Sequence, residues 1–213
     1  MKYHFAMSLA LLAITTGASA QQTPLENGVL AEINYVRADP QGYIQHLRAY
    51  RALIGPDHIR HDPGDPVGRI TFEGTAAVDE AIAALQIQPP LPPLAPDPEL
   101  AKVARAYAME QGRAGATGHV SADGTTMSAR IRRNRMPYGP VAETISYGQS
   151  TPADVVRQLV VDDGVPSRGH RKILFTSGLG YAGVGCAPHR TFQIECVQDY
   201  SATRVPPDYP PAH

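Results

Sequence analysis

A short helix signal followed by a dense polar stretch constrains this chain more than any other feature. Residues 151–154 read TPAD, which has the form of a helix N-terminus. Apolar residues then recur at helical spacing and predict a buried helix over residues 153–161. The next stretch, residues 162–174, reads DDGVPSRGHRKIL, and its glycines, proline and charges predict a loop. Because a rigid helix would hold this loop, His170 is a candidate functional residue, and capping of the helix end is the alternative.

The two ends of the chain have the composition of processing and linker segments. A basic start at Lys2, an apolar run and the sequence ASA at positions 18–20 predict a secretory signal peptide over residues 1–20. We expect a single domain over residues 21–204 and an extended proline-rich tail over residues 205–213. No later stretch approaches the roughly 18 consecutive apolar residues of a membrane span. The sequence therefore predicts a secreted protein, periplasmic or extracellular, with no transmembrane segment.

Charge and cysteine content limit the possible partners. The formal net charge of −1 gives no global argument for binding nucleic acid. Four arginines lie in a short predicted helix over residues 126–135, and we interpret them as a solvated basic face. Cys186 and Cys196 predict one disulfide in the C-terminal sheet of an exported chain. A metal-binding cysteine pair is disfavoured because the spacing is not CxxC.

The remaining patterns predict a mixed α and β domain. Helical spacing predicts helices over residues 25–37, 40–53, 75–85 and from residue 97 onward, and alternation predicts strands over residues 141–147, 180–187 and 191–200. Residues 55–75 are rich in Gly, Pro and Asp and predict an irregular surface connection. His58 and His61 lie there beside aspartates, but a solvated loop explains them better than a metal site.

Three familiar catalytic or cofactor signatures do not apply. A GxGxxG match over residues 178–183 precedes a predicted strand instead of a helix, so we expect no organic cofactor. The sequence contains neither HExxH nor GxSxG. The chemistry that remains is a trio of His119, Glu143 and His170, each following a different apolar element. Two imidazoles and a carboxylate could hold a divalent ion, serve as an acid/base set, or form a buried polar network.

The order of several short blocks resembles the CAP superfamily. This family, also called the SCP domain, comprises cysteine-rich secretory, antigen 5 and pathogenesis-related 1 proteins. The sequence DDGVPSRGHR at positions 162–171 is similar to bacterial secreted members. The matching blocks are residues 30–40, 118–119, 123–124, 130, 142–145, 169–171 and 183–185. The resemblance implies an α+β fold, a three-layer α-β-α sandwich with a central cavity.

The same resemblance implies the residues of the cavity. His119 and His170 fall on its two histidines and Glu143 on its first acid, while the second acid is Asp162 or Asp163. The family's usual Asn in the acid block is replaced by Thr144, and its usual aromatic before the second histidine is also missing.

The resemblance implies a function at the level of a site. We expect a binding module whose cavity holds a divalent ion, Zn, Mg or Ca, with a lipid or cell-envelope component as ligand. The alternative is a metal-dependent hydrolase, a protease or esterase, that uses the same cavity. The sequence leaves the enzyme question, the physiological ligand and the oligomeric state open.

Overall fold

A computed structural model of the protein describes residues 22–133 and 139–204. The predicted signal peptide and the predicted tail lie outside the described residues. In chain order the described elements are α1 (Pro24–Ala38), α2 (Pro40–Arg51), β1 (Ile59–Arg60), β2 (Arg69–Ile70), α3 (Ala76–Ile87), β3 (Ala95–Pro96), α4 (Pro98–Ala114), α5 (Met127–Arg133), β4 (Val141–Tyr147), α6 (Pro152–Val161), α7 (Gly169–Leu174), β5 (Tyr181–His189) and β6 (Gln193–Ser201). Over these ranges no helix is long and apolar enough to cross a membrane.

Side chains that cap backbone N–H groups fix where the longer helices begin. Thr23 and Glu26 form a capping box at the start of α1. Asp97 accepts hydrogen bonds from two amides of the first turn of α4. Thr151 accepts from the Asp154 amide at the start of α6, as the sequence predicts. A proline at the first helical position follows each of these caps, so local chemistry alone sets the three helix starts.

The central sheet has the strand order β3-β5-β6-β4. β3 pairs with β5 in parallel, and the other pairs are antiparallel. The predicted C-terminal hairpin is confirmed, but its turn begins at Arg190, two positions late, because the ladder continues through His189 and Gln193. Cys186 and Cys196 are directly opposite each other in this hairpin and form the predicted disulfide.

Helices cover both faces of the sheet and complete the predicted three-layer α-β-α sandwich. One face of the sheet packs through Val184 and Tyr200 against a core that includes buried residues of α1, α2, α3, α6 and α7. The other face packs through Ile145 and Val197 against α4. Gly185 on β5 lets α4 approach closely, since a Cβ atom there would lie 2.1 Å from the Arg105 amide nitrogen. The α+β fold is therefore as expected.

Two connections contain more regular structure than the sequence predicts. Residues 55–75 include the short antiparallel pair β1–β2. The predicted loop over residues 162–174 is wrong in its second half, which forms α7. Asp162 supplies the reason, because its Oδ2 atom accepts the backbone N–H of His170 at 2.9 Å and of Arg171 at 3.4 Å. A side chain at the end of α6 thus bonds the amides of the first turn of α7.

Candidate functional site

His119 is held by a carboxylate on the central sheet. It follows α4 in a loop, and Glu143 lies on β4. The His119 Nδ1 atom lies 2.8 Å from Glu143 Oε1. The Glu143 side chain is 1% exposed, whereas that of His119 is 49% exposed. A carboxylate in this position accepts a hydrogen bond from Nδ1–H, the tautomer that keeps a lone pair on Nε2.

His170 is held in the same way by a second carboxylate. Its Nδ1 atom lies 2.6 Å from Asp162 Oδ1, and the Asp162 side chain is 2% exposed. Asp162 ends α6 in the left-handed conformation, with φ 57°. This conformation directs the chain away from the helix, and the same carboxylate accepts the His170 backbone N–H. The His170 ring is therefore fixed through both its backbone and its Nδ1 atom.

The two imidazole rings lie near each other. Their centroids lie 6.4 Å apart with an interplanar angle of 38°. Each ring has a buried carboxylate on Nδ1, and neither Nε2 atom bonds another residue of the described chain. Carboxylates placed in this way orient imidazoles that bind metal ions through the other nitrogen. Four predicted site residues are therefore brought together, namely His119, Glu143, Asp162 and His170.

Asp163, the fifth predicted site residue, lies apart from this group. Its two carboxylate oxygens accept the backbone N–H groups of Phe72 at 2.8 Å and Glu73 at 2.9 Å. It therefore anchors the segment after β2 to the end of α6. Of the two candidates for the second acid, the structure places Asp162 beside the histidines.

Arg130 joins the two halves of the His119–Glu143 pair. The predicted solvated basic face is wrong for this residue, whose side chain is 9% exposed. Its Nη2 donates to Glu143 Oε2 at 2.7 Å, and its Nη1 donates to the His119 carbonyl oxygen at 3.0 Å. The guanidinium also lies 3.2 Å from the centre of the Tyr107 ring. In the sequence, only the position of Arg130 among the blocks that resemble the family indicated that it belongs to the site.

The peptide before His119 is clamped by three polar side chains. Tyr107 donates its hydroxyl to the Gly118 carbonyl at 2.8 Å, and Gln111 Nε2 donates to the same oxygen at 2.6 Å. The Gly118 amide donates to the Tyr147 hydroxyl at 3.0 Å. Burial raises the pKa of Tyr147 to about 12, so this hydroxyl stays neutral at physiological pH. The backbone that carries His119 is therefore fixed from both sides.

A second buried acid lies behind Glu143. Asp199 is its partner in the β4–β6 register and is fully buried. Burial raises the pKa of Asp199 well above its usual range, and the Glu143 carboxylate raises it further. If Asp199 were ionised, its oxygens would have no hydrogen-bond donor among the described residues. Protonation of Asp199 would remove this unsatisfied buried charge. Sequence reasoning missed Asp199, for which an acid inside a predicted strand was the available signal.

His189 shows what a structural histidine looks like in this fold. Its Nε2 donates to the Ala116 carbonyl at 2.8 Å, and its Nδ1 accepts the amides of Thr191 and Phe192 at 3.1 Å each. Both nitrogens are therefore used within the chain, and its tautomer is opposite to that of His119 and His170. The buried Glu195 side chain lies nearby, with Oε2 3.6 Å from His189 Nε2.

The described residues contain no group of three or more His, Cys, Asp or Glu side chains that could hold a metal ion as they stand. The reason lies in the geometry of the pairs: the carboxylates of Glu143 and Asp162 face the Nδ1 atoms, so only the two Nε2 atoms are free to be ligands. Any ion in this cavity would complete its coordination with water or a ligand.

The sequence and this arrangement identify the class of protein. The model of the cysteine-rich secretory protein family, CAP, matches residues 30–200. The chain therefore belongs to that family.

Three solved structures are similar to parts of the chain. One is an extracellular protein with an SCP domain from Bacillus anthracis str. Ames, with 23% identity over 52% of this chain and 34% of that chain and a TM-score of 0.45. Another is an outer surface protein from Borrelia burgdorferi, with 23% identity over 54% and 80% of the two chains and a TM-score of 0.44. The third is a cysteine-rich secretory protein from Staphylococcus aureus subsp. aureus Mu50, with 16% identity over 53% and 33% and a TM-score of 0.40. The match spans about a third of the first structure, and no curated protein matches the chain.

Proposed function

We propose that this protein is a secreted binding module whose central cavity holds a divalent metal ion on the Nε2 atoms of His119 and His170. One observation carries the proposal. Both rings are fixed by buried carboxylates on Nδ1, which leaves two lone pairs directed away from those carboxylates. A purely structural histidine uses both nitrogens within the chain, as His189 does.

The donor type favours zinc among the divalent ions. An ion about 2.0–2.1 Å from Nε2 lies roughly 3.2 Å from the ring centre, so rings 6.4 Å apart could share one ion only if the two Nε2 atoms were in line on opposite sides of it, and tetrahedral coordination requires the rings to move closer. A small inward rotation of the exposed His119 ring would bring them within reach. Magnesium and calcium prefer oxygen ligands, and both cavity carboxylates are engaged by Nδ1. Bound zinc would act as a Lewis acid and lower the pKa of a coordinated water.

We propose binding, and not hydrolysis, as the function because both cavity carboxylates are already engaged in hydrogen bonds. Glu143 is bonded to His119 and Arg130, and Asp162 is bonded to His170 and backbone amides. Neither carboxylate is therefore free to serve as general base for a metal-bound water. Export through the predicted signal peptide and a lipid or cell-envelope component as ligand complete the proposal.

Metal analysis of the purified mature protein tests the cavity. The matched control is a His46→Ala/His61→Ala variant, which removes two exposed histidines outside the cavity. We expect about one equivalent of zinc in the wild type and in this control, and none in a His119→Ala/His170→Ala variant. Saturating zinc at about 100 times its Kd should also stabilise the wild type by about 2.7 kcal/mol. Equal metal content in all three proteins would rule out the cavity site.

A panel of esters and peptides decides between the two functions. The zinc-loaded wild type is expected to show no turnover above the His119→Ala/His170→Ala variant. Turnover that requires both histidines and the metal would establish the hydrolase instead.

A further inference from the structure

A second recess lies between the β1–β2 hairpin and α6, and neither cavity histidine lines it. Its volume is about 170 Å³, far above the roughly 10–15 Å³ that one water needs on the same kind of measure. We propose that this recess binds an organic oxyanion, a carboxylate or phosphate joined to an apolar group. The residues that carry the argument are Tyr50, Arg69, Ile70, Phe72, Gln149 and Arg157.

Several hydrogen-bond donors on the wall of the recess have no acceptor among the described residues. Arg69 is exposed and makes no direct ion pair with a carboxylate of the described residues, although its charge helps to lower the pKa of Asp65 at longer range. The side-chain amide of Gln149 makes no hydrogen bond to another described residue. Arg157 uses only Nη2, toward Asp154, and its guanidinium lies 4.4 Å from the centre of the Tyr50 ring. Guanidinium and amide N–H groups that line one recess without acceptors match the oxygens of a carboxylate or phosphate.

Two acids, Asp154 and Asp163, also line the recess, and the acids in this region already accept hydrogen bonds. Asp62 pairs with Arg60, the third arginine of the wall. Asp65 accepts the backbone amides of residues 67 and 68, and Asp163 accepts those of residues 72 and 73. With Asp154 engaged by Arg157, Arg69 is the cation of this wall that no carboxylate contacts. A ligand that complements Arg69 and the unused N–H groups beside it is therefore an acceptor with negative charge.

Exposed apolar side chains at the rim of the recess indicate that the ligand has an apolar part. Ile70 is 84% exposed and Phe72 is 80% exposed, and both line the recess. Phe72 is nevertheless fixed, because its amide is bonded to Asp163 and its ring lies against Gly164, where a Cβ atom would come within 2.8 Å of Phe72 Cδ2. Two exposed apolar side chains beside one recess, one of them held in place, fit the apolar part of a ligand. An alkyl or aryl group attached to the oxyanion would cover them.

NMR titration of the ¹⁵N-labelled mature protein tests this site with hexyl phosphate, hexanoate, inorganic phosphate and hexanol. We expect hexyl phosphate and hexanoate to shift the signals of Arg69, Ile70 and Gln149, and these shifts should reach saturation. Hexanol should bind with a far lower affinity. The tighter of the two amphiphiles identifies the head group as phosphate or carboxylate. Arg69→Gln should weaken binding about tenfold, because a hydrogen-bonded charge pair is lost. Arg113→Gln, which changes an exposed arginine on α4, should leave it unchanged.

Two further variants separate the parts of the proposal. Phe72→Ser should weaken hexyl phosphate while leaving inorganic phosphate unchanged, because only the apolar contact is removed. His119→Ala/His170→Ala should bind hexyl phosphate normally, so a failure of the metal cavity does not imply a failure here. Hexanol binding as tightly as hexyl phosphate, or equal affinities for Arg69→Gln and Arg113→Gln, would overturn the proposal.

Discussion

Replacing Arg130 with methionine should destabilise the protein more than any other single change at the cavity. The side chain is 9% exposed and neutralises Glu143, which is 1% exposed and has the buried Asp199 behind it. Arg130→Met keeps the apolar contact with Tyr107 but leaves a buried carboxylate without its cation. Removing one partner of a buried ion pair costs about 3–5 kcal/mol. The bond to the His119 carbonyl is lost as well.

Urea denaturation at pH 7 measures this cost as a shift of the midpoint at constant slope. The matched control is Arg132→Met, an exposed neighbour on α5 that should change the free energy of unfolding by no more than about 0.5 kcal/mol. The double variant Arg130→Met/Glu143→Leu should recover most of the loss, because no uncompensated charge stays buried. A loss below about 1 kcal/mol for Arg130→Met, or no recovery in the double variant, would refute this account of the site.

Three further predictions concern the sheet behind the cavity. Burial raises the pKa of Glu195 to about 8 from an ordinary 4.5, so the folded chain holds a proton that the unfolded chain loses, and stability should fall as pH rises between these values. Urea midpoints at pH 5, 7 and 9 should show a flatter profile for Glu195→Gln, and a profile identical to that of the exposed-site control Glu99→Gln would contradict this. Gly185→Ala should cost at least about 2 kcal/mol in thermal melts, because its Cβ atom would meet the α4 backbone at 2.1 Å, and a wild-type melting temperature would show that α4 can move away. Removing the disulfide with Cys186→Ser/Cys196→Ser should cost about 2–3 kcal/mol in the same melts, and two free thiols in denatured, non-reduced wild type would disprove the bridge.

Local sequence chemistry accounts for most of the fold. The start of α6 follows from Thr151 and the proline after it, and β4 matches the alternation of residues 141–147. His119, Glu143 and His170 could be placed in one cavity because their blocks occur in the order that the family requires. These features depend on neighbours in the chain or on a pattern that one sequence displays.

The features that sequence reasoning missed depend on distant contacts. Helix α7 has no local capping side chain, and its first amides are bonded by Asp162. Strand β3 contains Pro96 and pairs with a strand more than eighty residues later in the chain. Asp199 is part of the site only because the strand register places it opposite Glu143. No periodicity or motif in a single sequence encodes such pairings.

The tautomers of the histidines test the central claim most directly. Long-range ¹H–¹⁵N NMR of the metal-free protein should show the Nδ1–H form for His119 and His170 and the Nε2–H form for His189. Added zinc should shift the Nε2 signals of the first two rings and leave those of His189 unchanged. Nε2–H forms at His119 and His170, or zinc shifts that do not involve these rings, would contradict a cavity prepared to hold a metal ion.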